Sequence, residues 1–536
     1  MQQAAFSAAL QFRSRSRITS RARLVAPTSF EWVAAGATTL LLILSFPNFE
    51  FSVLAWIALA PLLFAVGRRP DPLRALILGW ASGTVFFYAT CYWLTYSMIH
   101  YGGLPTVAAY VLLVPGAIVI GLFPGLAMIL IALAIKRWSY WAVLLAPGFW
   151  TAFEWVRLEV TGQLWNALGY SQAFHPLLIQ PANWGGVYAV SFLIVAVNAA
   201  IVLVVTKRTG WSIASALLVV TFVSCVIMVS RFAAGPRYTS SDVDSVCVVA
   251  VQPNVPMTIV KSPDELKQLL DRHLSLSLSG LKQCPARAYT RLVIWPESPM
   301  NFTYAGNQTF QQLVKRFSME NRTYLLLNSL EPAPDGGSYN SALLINGDAP
   351  IVQYDKIRLM PFGEYVPLPQ WLPGASLITG LVGEFTPGSN YTLMPVGSYR
   401  LGVFICIESA YPWITREMTS RNADLLINIS NDGYLGPTAV MRQHLANTVF
   451  RAVENGRPLM RVTNTGLSAR IQPEGKIENL TGGFQTDVRV WIYSPSAADT
   501  IYTRRGDLLV HLCAAITAIL LVALLVSSRR SFRKLR

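Results

Sequence analysis

The chain changes texture twice. Up to residue 231, apolar stretches of membrane-crossing length follow one another with short polar breaks. From about 241 to 500 they give way to short apolar runs interrupted by Pro, Gly and Asn, and a long apolar run then returns near the C-terminus. A bilayer-spanning helix needs about 17 to 25 mostly apolar residues. That criterion picks out 31–47, 51–67, 74–97, 105–135, 139–156, 188–206 and 211–231, and, after the polar interval, 508–528. The first two are separated by "NFE" and predict a tight hairpin. The fourth is too long for one straight span, and its Pro115 and Pro124 predict a kink or a break.

In the middle region the runs at 245–252, 291–295, 323–329, 341–347, 401–407, 423–429 and 458–464 read as strands. Helical patterns lie between them at 262–281, 308–320 and 438–456. Ser262, Pro263 and Glu265 occupy start positions for the first of these, and Gly456 a stop position for the third. Near-continuous apolar strands alternating with helices predict a layered α/β domain with buried sheets. The domains expected are a basic tail (1–30), a transmembrane domain (31–232), a soluble domain (233–507), a last span (508–528) and a second basic tail (529–536).

Composition agrees with this division. Only 13% of the 536 residues are charged, against about 25% in a soluble protein. The net charge of +15 needs no nucleic-acid partner, because its clusters flank the apolar runs. "GRRPDPLR", "KRW", "TKRTG" and the terminal "RRSFRKLR" alternate with "PNFE" and "SMIHYGGLP", which carry no Lys or Arg. Under the positive-inside rule both tails are cytoplasmic and 233–507 lies on the opposite face. A cleaved targeting peptide is the alternative for the Arg-rich tail, but the span that follows it fits the alternation. The six cysteines show no C-x-x-C pair and no metal-ligand spacing, so no metal is expected. They argue against a disulfide framework, with Cys247–Cys284 left open.

Three places carry chemistry. In "VIWPESPM" a strand runs into Glu297, a carboxylate placed for partial desolvation and proton transfer. In "VQYDKIRLMPFGEYVP" Lys356 follows a β-like run, and a Pro-Phe-Gly turn brings the chain back past Glu364. In "LGVFICIESAYP" Cys406 stands between a strand and a helix, an elbow that exposes a nucleophile and turns the next N–H groups toward its adduct. Its thiol needs a base or a positive field to react at neutral pH. Taken singly, these read as a surface strand-end acid, an ordinary ion pair and a small core cysteine.

Together and in this order, Glu297, Lys356 and Cys406 resemble the Glu–Lys–Cys triad of the nitrilase, or carbon–nitrogen hydrolase, superfamily. "YDKIRLMPFGEYVP", "IESAYP", "NISNDGYLG" and "ENGRPLMRVTNTG", with seven leading spans and one trailing span, narrow the resemblance to its membrane-bound branch, the bacterial apolipoprotein N-acyltransferases. That resemblance implies an α-β-β-α sandwich on the periplasmic face of the inner membrane, working as a monomer without a cofactor. It also implies a phospholipid acyl donor and a diacylglyceryl-cysteine apolipoprotein acceptor. In the implied ping-pong scheme Glu297 is general base and acid, Cys406 the nucleophile, and Lys356 with the Ile407 N–H stabilises the oxyanion. Glu364, Glu408 and Asn340 are the supporting residues it implies. Ile407 and Tyr434 depart from the family pattern, which has an aromatic and a tryptophan there, and "QPNVPMTIV" lacks an expected tryptophan.

The aromatic-rich loop "RLEVTGQLWNALGYSQAFHPLLIQPANWGG" suits an interfacial belt, part of the substrate access path or a simple anchor. The rival function is a membrane-tethered amidase that uses the same triad with water as second nucleophile. A transporter or scaffold is the non-enzymatic alternative, for which the spans offer little beyond Glu154.

Overall fold

The computed structural model of the protein describes residues 26–162, 164–233, 245–257, 261–285, 290–361, 363–365, 385–493 and 499–533. Most of the N-terminal basic tail, the last three residues and 258–260 of the "QPNVPMTIV" stretch therefore lie outside the described residues.

All eight apolar runs become helical. Helix α1 (Ser29–Ser45) and the segmented α2 (Ser52–Arg68) form the expected hairpin. The third run is two helices, α3 (Pro72–Thr90) and α4 (Leu94–His100), bent by 50°. The fourth is one helix, α5 (Thr106–Trp138), with Pro115 and Pro124 inside it. The expected break is thus absent there and falls instead between α3 and α4. The fifth run gives a 3₁₀ turn, Tyr140–Leu145, and α6 (Ala146–Thr161). Helices α7 (Ala182–Lys207) and α8 (Gly210–Ala233) follow. Among the described residues four helices are individually long and apolar enough to cross a membrane: α5, α7, α8 and the last helix. Helices α3 and α5 meet through Gly79, Gly83, Gly121 and Gly125: a Cβ on Gly83 would lie 2.8 Å from the Gly121 carbonyl oxygen, and one on Gly79 2.9 Å from the Gly125 Cα. Small residues four apart on both helices let the backbones touch, a common way for helices to pack in lipid.

The soluble region builds two six-stranded sheets in the orders β12-β1-β2-β3-β4-β5 and β11-β10-β9-β8-β7-β6. The first contains β1 (Val246–Gln252), β2 (Thr290–Ile294), β3 (Tyr324–Pro332), β4 (Ser338–Ile345), β5 (Val352–Asp355) and β12 (Asp487–Tyr493). The second contains β6 (Leu393–Val396), β7 (Tyr399–Ile405), β8 (Leu425–Ser430), β9 (Leu459–Thr463), β10 (Ala469–Ile471) and β11 (Ile477–Glu478). Each has three parallel central strands, β1-β2-β3 and β7-β8-β9, flanked by antiparallel ones.

Alternation within each strand sets the layers. Cys247, Val249, Val293, Leu325 and Leu327 pack with Val314 and Phe317 of α10 (Gln308–Asn321), beside α9 (Pro263–Leu281). Val248, Ala250, Leu292, Ile294 and Leu326 face the other way, into a core shared with Leu401, Val403 and Ile405 of the second sheet. That core continues through α11 (Pro412–Ser420) and α12 (Val440–Asn455). The expected α-β-β-α sandwich is therefore present. The Ser262 side chain accepts from the Glu265 N–H, and Gly456 ends α12 in the left-handed region, as the sequence predicts. Cys247 and Cys284 form a disulfide, with Cα atoms 6.0 Å apart, which ties β1 to the end of α9.

The sandwich docks on the helical bundle through α12. Arg442 makes a two-pronged contact with Glu50, at 2.6 and 2.7 Å. The buried Gln443 accepts from the indole N–H groups of Trp93 and Trp165, at 3.0 and 2.7 Å, and donates to the carbonyls of Pro47 and Thr90. The aromatic loop at 157–186 is thus largely buried, with Trp165 against the sandwich. Helix α7 is broken at Gly185–Gly186, and Glu454 of α12 accepts the freed Val187 N–H at 2.9 Å. A short helix, α13 (Ile501–Arg505), then leads into α14 (Leu508–Arg533).

Gln443→Leu strands two indole donors and two carbonyls in a dry interface, at about 1–3 kcal/mol for each group left unmet. Glu50→Gln breaks a half-exposed ion pair worth about 1 kcal/mol or less. Thermal unfolding of the detergent-purified protein is expected to fall clearly more for Gln443→Leu than for Glu50→Gln.

Candidate active site

Both sheets contribute residues to one cluster. Beyond the end of β2, Trp295 still pairs with β3 through its N–H to the Leu326 carbonyl, which carries the chain to Glu297. Lys356 follows β5 directly, its N–H bonded to the Asn340 carbonyl. Cys406 follows the last residue of β7 and opens the 3₁₀ turn Cys406–Ala410 ahead of α11. Its φ of 50° lies in the left-handed region, where a residue with a Cβ is strained. The elbow read from the sequence is present.

The Lys356 side chain is only 1% exposed and sits between two carboxylates, 2.8 Å from Glu364 and 3.5 Å from Glu297. Burial alone disfavours the ammonium, but Glu297 and Glu364 overcome it and hold the pKa above the ordinary lysine value. Asn340 bridges the same carboxylates, its Nδ2 donating to Glu297 at 2.9 Å and to Glu364 at 2.8 Å. Asn328 donates to the Asn340 oxygen at 2.7 Å, which fixes the amide's orientation. The Asn431 N–H donates to the second Glu297 oxygen at 3.1 Å. The Met360 N–H donates to Glu364 at 2.7 Å and closes the turn that brings this acid back.

The Cys406 thiol lies within the field of these groups. Burial raises its pKa, Glu297 raises it further and Lys356 opposes them, with the net effect upward. The resting thiol therefore keeps its proton, with a carboxylate at hand to take it and a fixed ammonium beside it. Such a set can support attack by sulfur on an acyl carbon together with stabilisation of the oxyanion formed.

Comparison with known proteins places this geometry. The profile described as "Apolipoprotein N-acyltransferase N-terminal domain" matches residues 38–200, and the profile "Carbon-nitrogen hydrolase" matches 247–491. A protein of Geobacter metallireducens named apolipoprotein N-acyltransferase is 32% identical over 509 residues, covering 94% of this chain and 96% of its own length. The chain belongs to the apolipoprotein N-acyltransferase family. A Rhizobium meliloti protein of the same name is 29% identical over 83% of this chain and 86% of its own. Among solved structures, Saccharomyces cerevisiae Nit3, described as a member of branch 10 of the nitrilase superfamily, matches with 19% identity and a TM-score of 0.36. That match covers 50% of this chain and 97% of Nit3.

Of the supporting residues that membership in the apolipoprotein N-acyltransferase family implies, Glu364 and Asn340 sit inside the cluster. Glu408 is buried behind it. One Glu408 oxygen accepts the N–H groups of Ile357 and Arg358, at 2.7 and 3.1 Å, and the other accepts that of Ile405 at 2.7 Å. Tyr354 donates its hydroxyl to the same carboxylate at 2.9 Å. Glu408 thus ties the segment bearing Lys356 to the strand bearing Cys406. Burial pushes its pKa up to about 7, against the pull of those N–H groups.

At the positions that depart from the family pattern, the Ile407 side chain is buried in the core, while Tyr434 is half exposed with its ring 5.7 Å from that of Tyr101 on the bundle side. The sequence pattern assigns no role to Asn328, Asn431, Asp432, His444 or Arg461. It holds two signals for them: the Asn431-Asp432 pair in "NISNDGYLG", and Arg461 as a charge inside the apolar run "PLMRVTN".

Asn340→Asp puts a third carboxylate against Glu297 and Glu364 and is expected to raise the Cys406 thiol further. Alkylation of Cys406 by iodoacetamide at pH 7 should then slow in proportion to the thiolate lost, about tenfold if the thiol titrates one pH unit higher. Its pH profile should be displaced upward. Asn340→Ala adds no charge and should displace the profile less.

Proposed function

We propose that this chain transfers an acyl group from a phospholipid to the free α-amino group of the N-terminal diacylglyceryl-cysteine of an apolipoprotein, through a thioester on Cys406. The observation that carries the reading is the buried Lys356 ammonium, set between Glu297 and Glu364 beside the elbow cysteine, in a sandwich docked directly on apolar helices. Likeness to named apolipoprotein N-acyltransferases over nearly the whole chain supports it.

In the first half, Glu297 takes the proton of Cys406 while sulfur bonds to the ester carbonyl carbon. The oxyanion is held by Lys356 and the Ile407 N–H. Collapse breaks the ester C–O bond, and Glu297 returns its proton to the departing lysophospholipid oxygen. In the second half the lipoprotein amine attacks the thioester carbon and gives a proton to Glu297. The C–S bond breaks, and that proton restores the thiol. An amine attacks a thioester readily, and a dry pocket limits competition from water.

The domain division and span count proposed are those expected from the sequence: seven spans in 31–232, the catalytic domain at 233–507 and an eighth span at 508–528, in a monomer. Both tails are cytoplasmic and the catalytic domain periplasmic, in the inner membrane of a bacterium. Glu50, Tyr101 and Trp165, from or beside the loops poor in basic residues, reach the catalytic domain, in keeping with this topology. The Cys247–Cys284 disulfide fits an oxidising compartment. The arrangement also suits the chemistry, since taking a lipid out of the bilayer costs about 0.8 kcal/mol per methylene exposed.

With vesicles of phospholipid labelled in its acyl chains, the wild-type protein is expected to acquire label that hydroxylamine removes, and Cys406→Ala none. A diacylated lipopeptide with a free amine should discharge the label into an amide, whereas its N-acetylated form should not. Lys356→Met should slow labelling by roughly a hundredfold, the usual effect of losing one oxyanion donor. Absence of wild-type label, or discharge to water as fast as to the amine, would defeat the reading, the second result in favour of the amidase.

A further inference from the structure

His444 touches Cys406 through its backbone carbonyl rather than its sulfur. Its Nε2 lies 2.9 Å from the backbone carbonyl oxygen of Cys406, and its Nδ1 lies 2.8 Å from Asp432 Oδ1. Arg461 grips Asp432 with one nitrogen 3.0 and 2.8 Å from its two oxygens, and holds that acid well below the ordinary carboxylate range. All three side chains are buried. Both partners of the imidazole are acceptors, and burial together with Arg461 outweighs Asp432 and sets the His444 pKa below the ordinary histidine value, so the clamp depends on the ring proton that Nε2 directs at the Cys406 carbonyl. Asn428 adds a longer contact to the same carbonyl, at 3.5 Å, and accepts from Arg461.

The carbonyl matters because of what shares its plane. The Cys406–Ile407 peptide is trans, so the Cys406 oxygen and the Ile407 N–H lie in one rigid plane and point in opposite directions. A donor that fixes the oxygen therefore fixes the aim of the N–H. It also polarises the group, strengthening the N–H as a donor. The plane opens a single 3₁₀ turn, entered through the left-handed φ of 50° at Cys406, a conformation that the surroundings must hold in place.

We propose that His444, held by Asp432 and Arg461, is a positioning residue for the oxyanion donor: it clamps the Cys406–Ile407 peptide so that the Ile407 N–H meets the acyl oxygen. The proposal rests on the acyl-transfer reading above, but it fails separately. It concerns the carbonyl step alone, not the reactivity of the sulfur.

Two substitutions divide the ring's contacts. His444→Gln keeps a donor near the Nε2 position, toward the Cys406 carbonyl. His444→Asn keeps one near Nδ1, toward Asp432, and leaves the carbonyl without its main donor. In the full-length protein with labelled phospholipid vesicles, His444→Asn is expected to lower the rate of acyl-enzyme formation by about tenfold or more. The KM for phospholipid should not change, and His444→Gln should recover most of the rate. Alkylation of Cys406 by iodoacetamide forms no oxyanion and should proceed at the wild-type rate in both variants.

Equal loss in the two variants, no loss in His444→Asn, or alkylation slowed in step with acylation would overturn the proposal. Asp432→Asn, which keeps the shape and withdraws the anion behind the ring, provides a second line if the His444 variants do not fold. It should slow acylation without slowing alkylation, which becomes faster if anything because the Asp432 charge helps to raise the Cys406 thiol, and alkylation slowed in step with acylation would also overturn the proposal. A wild-type protein that takes up no label would instead count against the acyl-transfer reading itself.

Discussion

The Lys356 ammonium is almost wholly removed from water, where a lone cation is unstable by several kcal/mol. It persists because Glu364 and Glu297 flank it and Asn340 joins the two carboxylates. Those partners come from separate strand ends and a turn closed by the Met360 N–H. Satisfying one charge thus fixes the relative placement of β2, β4, β5 and the following loop. Glu408 extends the constraint to the second sheet, since its carboxylate bonds N–H groups on both sides of the gap. The Cys406 sulfur is added to a frame already fixed by charge.

Helix α12 links that frame to the bundle. Three consecutive residues carry the connection: Arg442 reaches Glu50, Gln443 gathers four partners from the bundle, and His444 holds the carbonyl of Cys406. One turn of helix meets the helical bundle on one side and Cys406 on the other. In the acyl transfer proposed above this geometry has a use, because a rigid helix holds Cys406 at a fixed height over the bundle better than a loop would.

Much of the fold was legible in the chain itself. The eight apolar runs, the basic loops in every second connection and the six central strands with β4 follow from period and composition, because each reports a local burial requirement. Strands β6, β10, β11 and β12 were not legible, for the complementary reason. They lie toward the outer parts of the sheets, and β12, "DVRVWIY", mixes charge into its alternation since most of it is half exposed. Of the kink or break expected at the α5 prolines, the break did not occur: the helix runs unbroken through both while its glycines pack closely on α3. The pairing left open at Cys247 and Cys284 was decided by β1 and the end of α9 coming within reach.

The pattern of residues was enough to predict a membrane-embedded α/β protein, and its resemblance to the apolipoprotein N-acyltransferase family was enough to name Glu297, Lys356 and Cys406 as candidates. Glu364, Glu408 and Asn340 were also named from the resemblance, but the other groups around those three emerged only in the folded molecule. Asn328, Asn431, Asp432, His444 and Arg461 sit on different strands, loops and one helix, and beyond the Asn431-Asp432 pair and the charge of Arg461 in an apolar run nothing local distinguishes them from ordinary polar residues. A strand end or a glycine stop is fixed by near neighbours in the chain. A buried charge or a clamped carbonyl is fixed by whatever the folded layers bring against it, and that information lies in distances the sequence does not state.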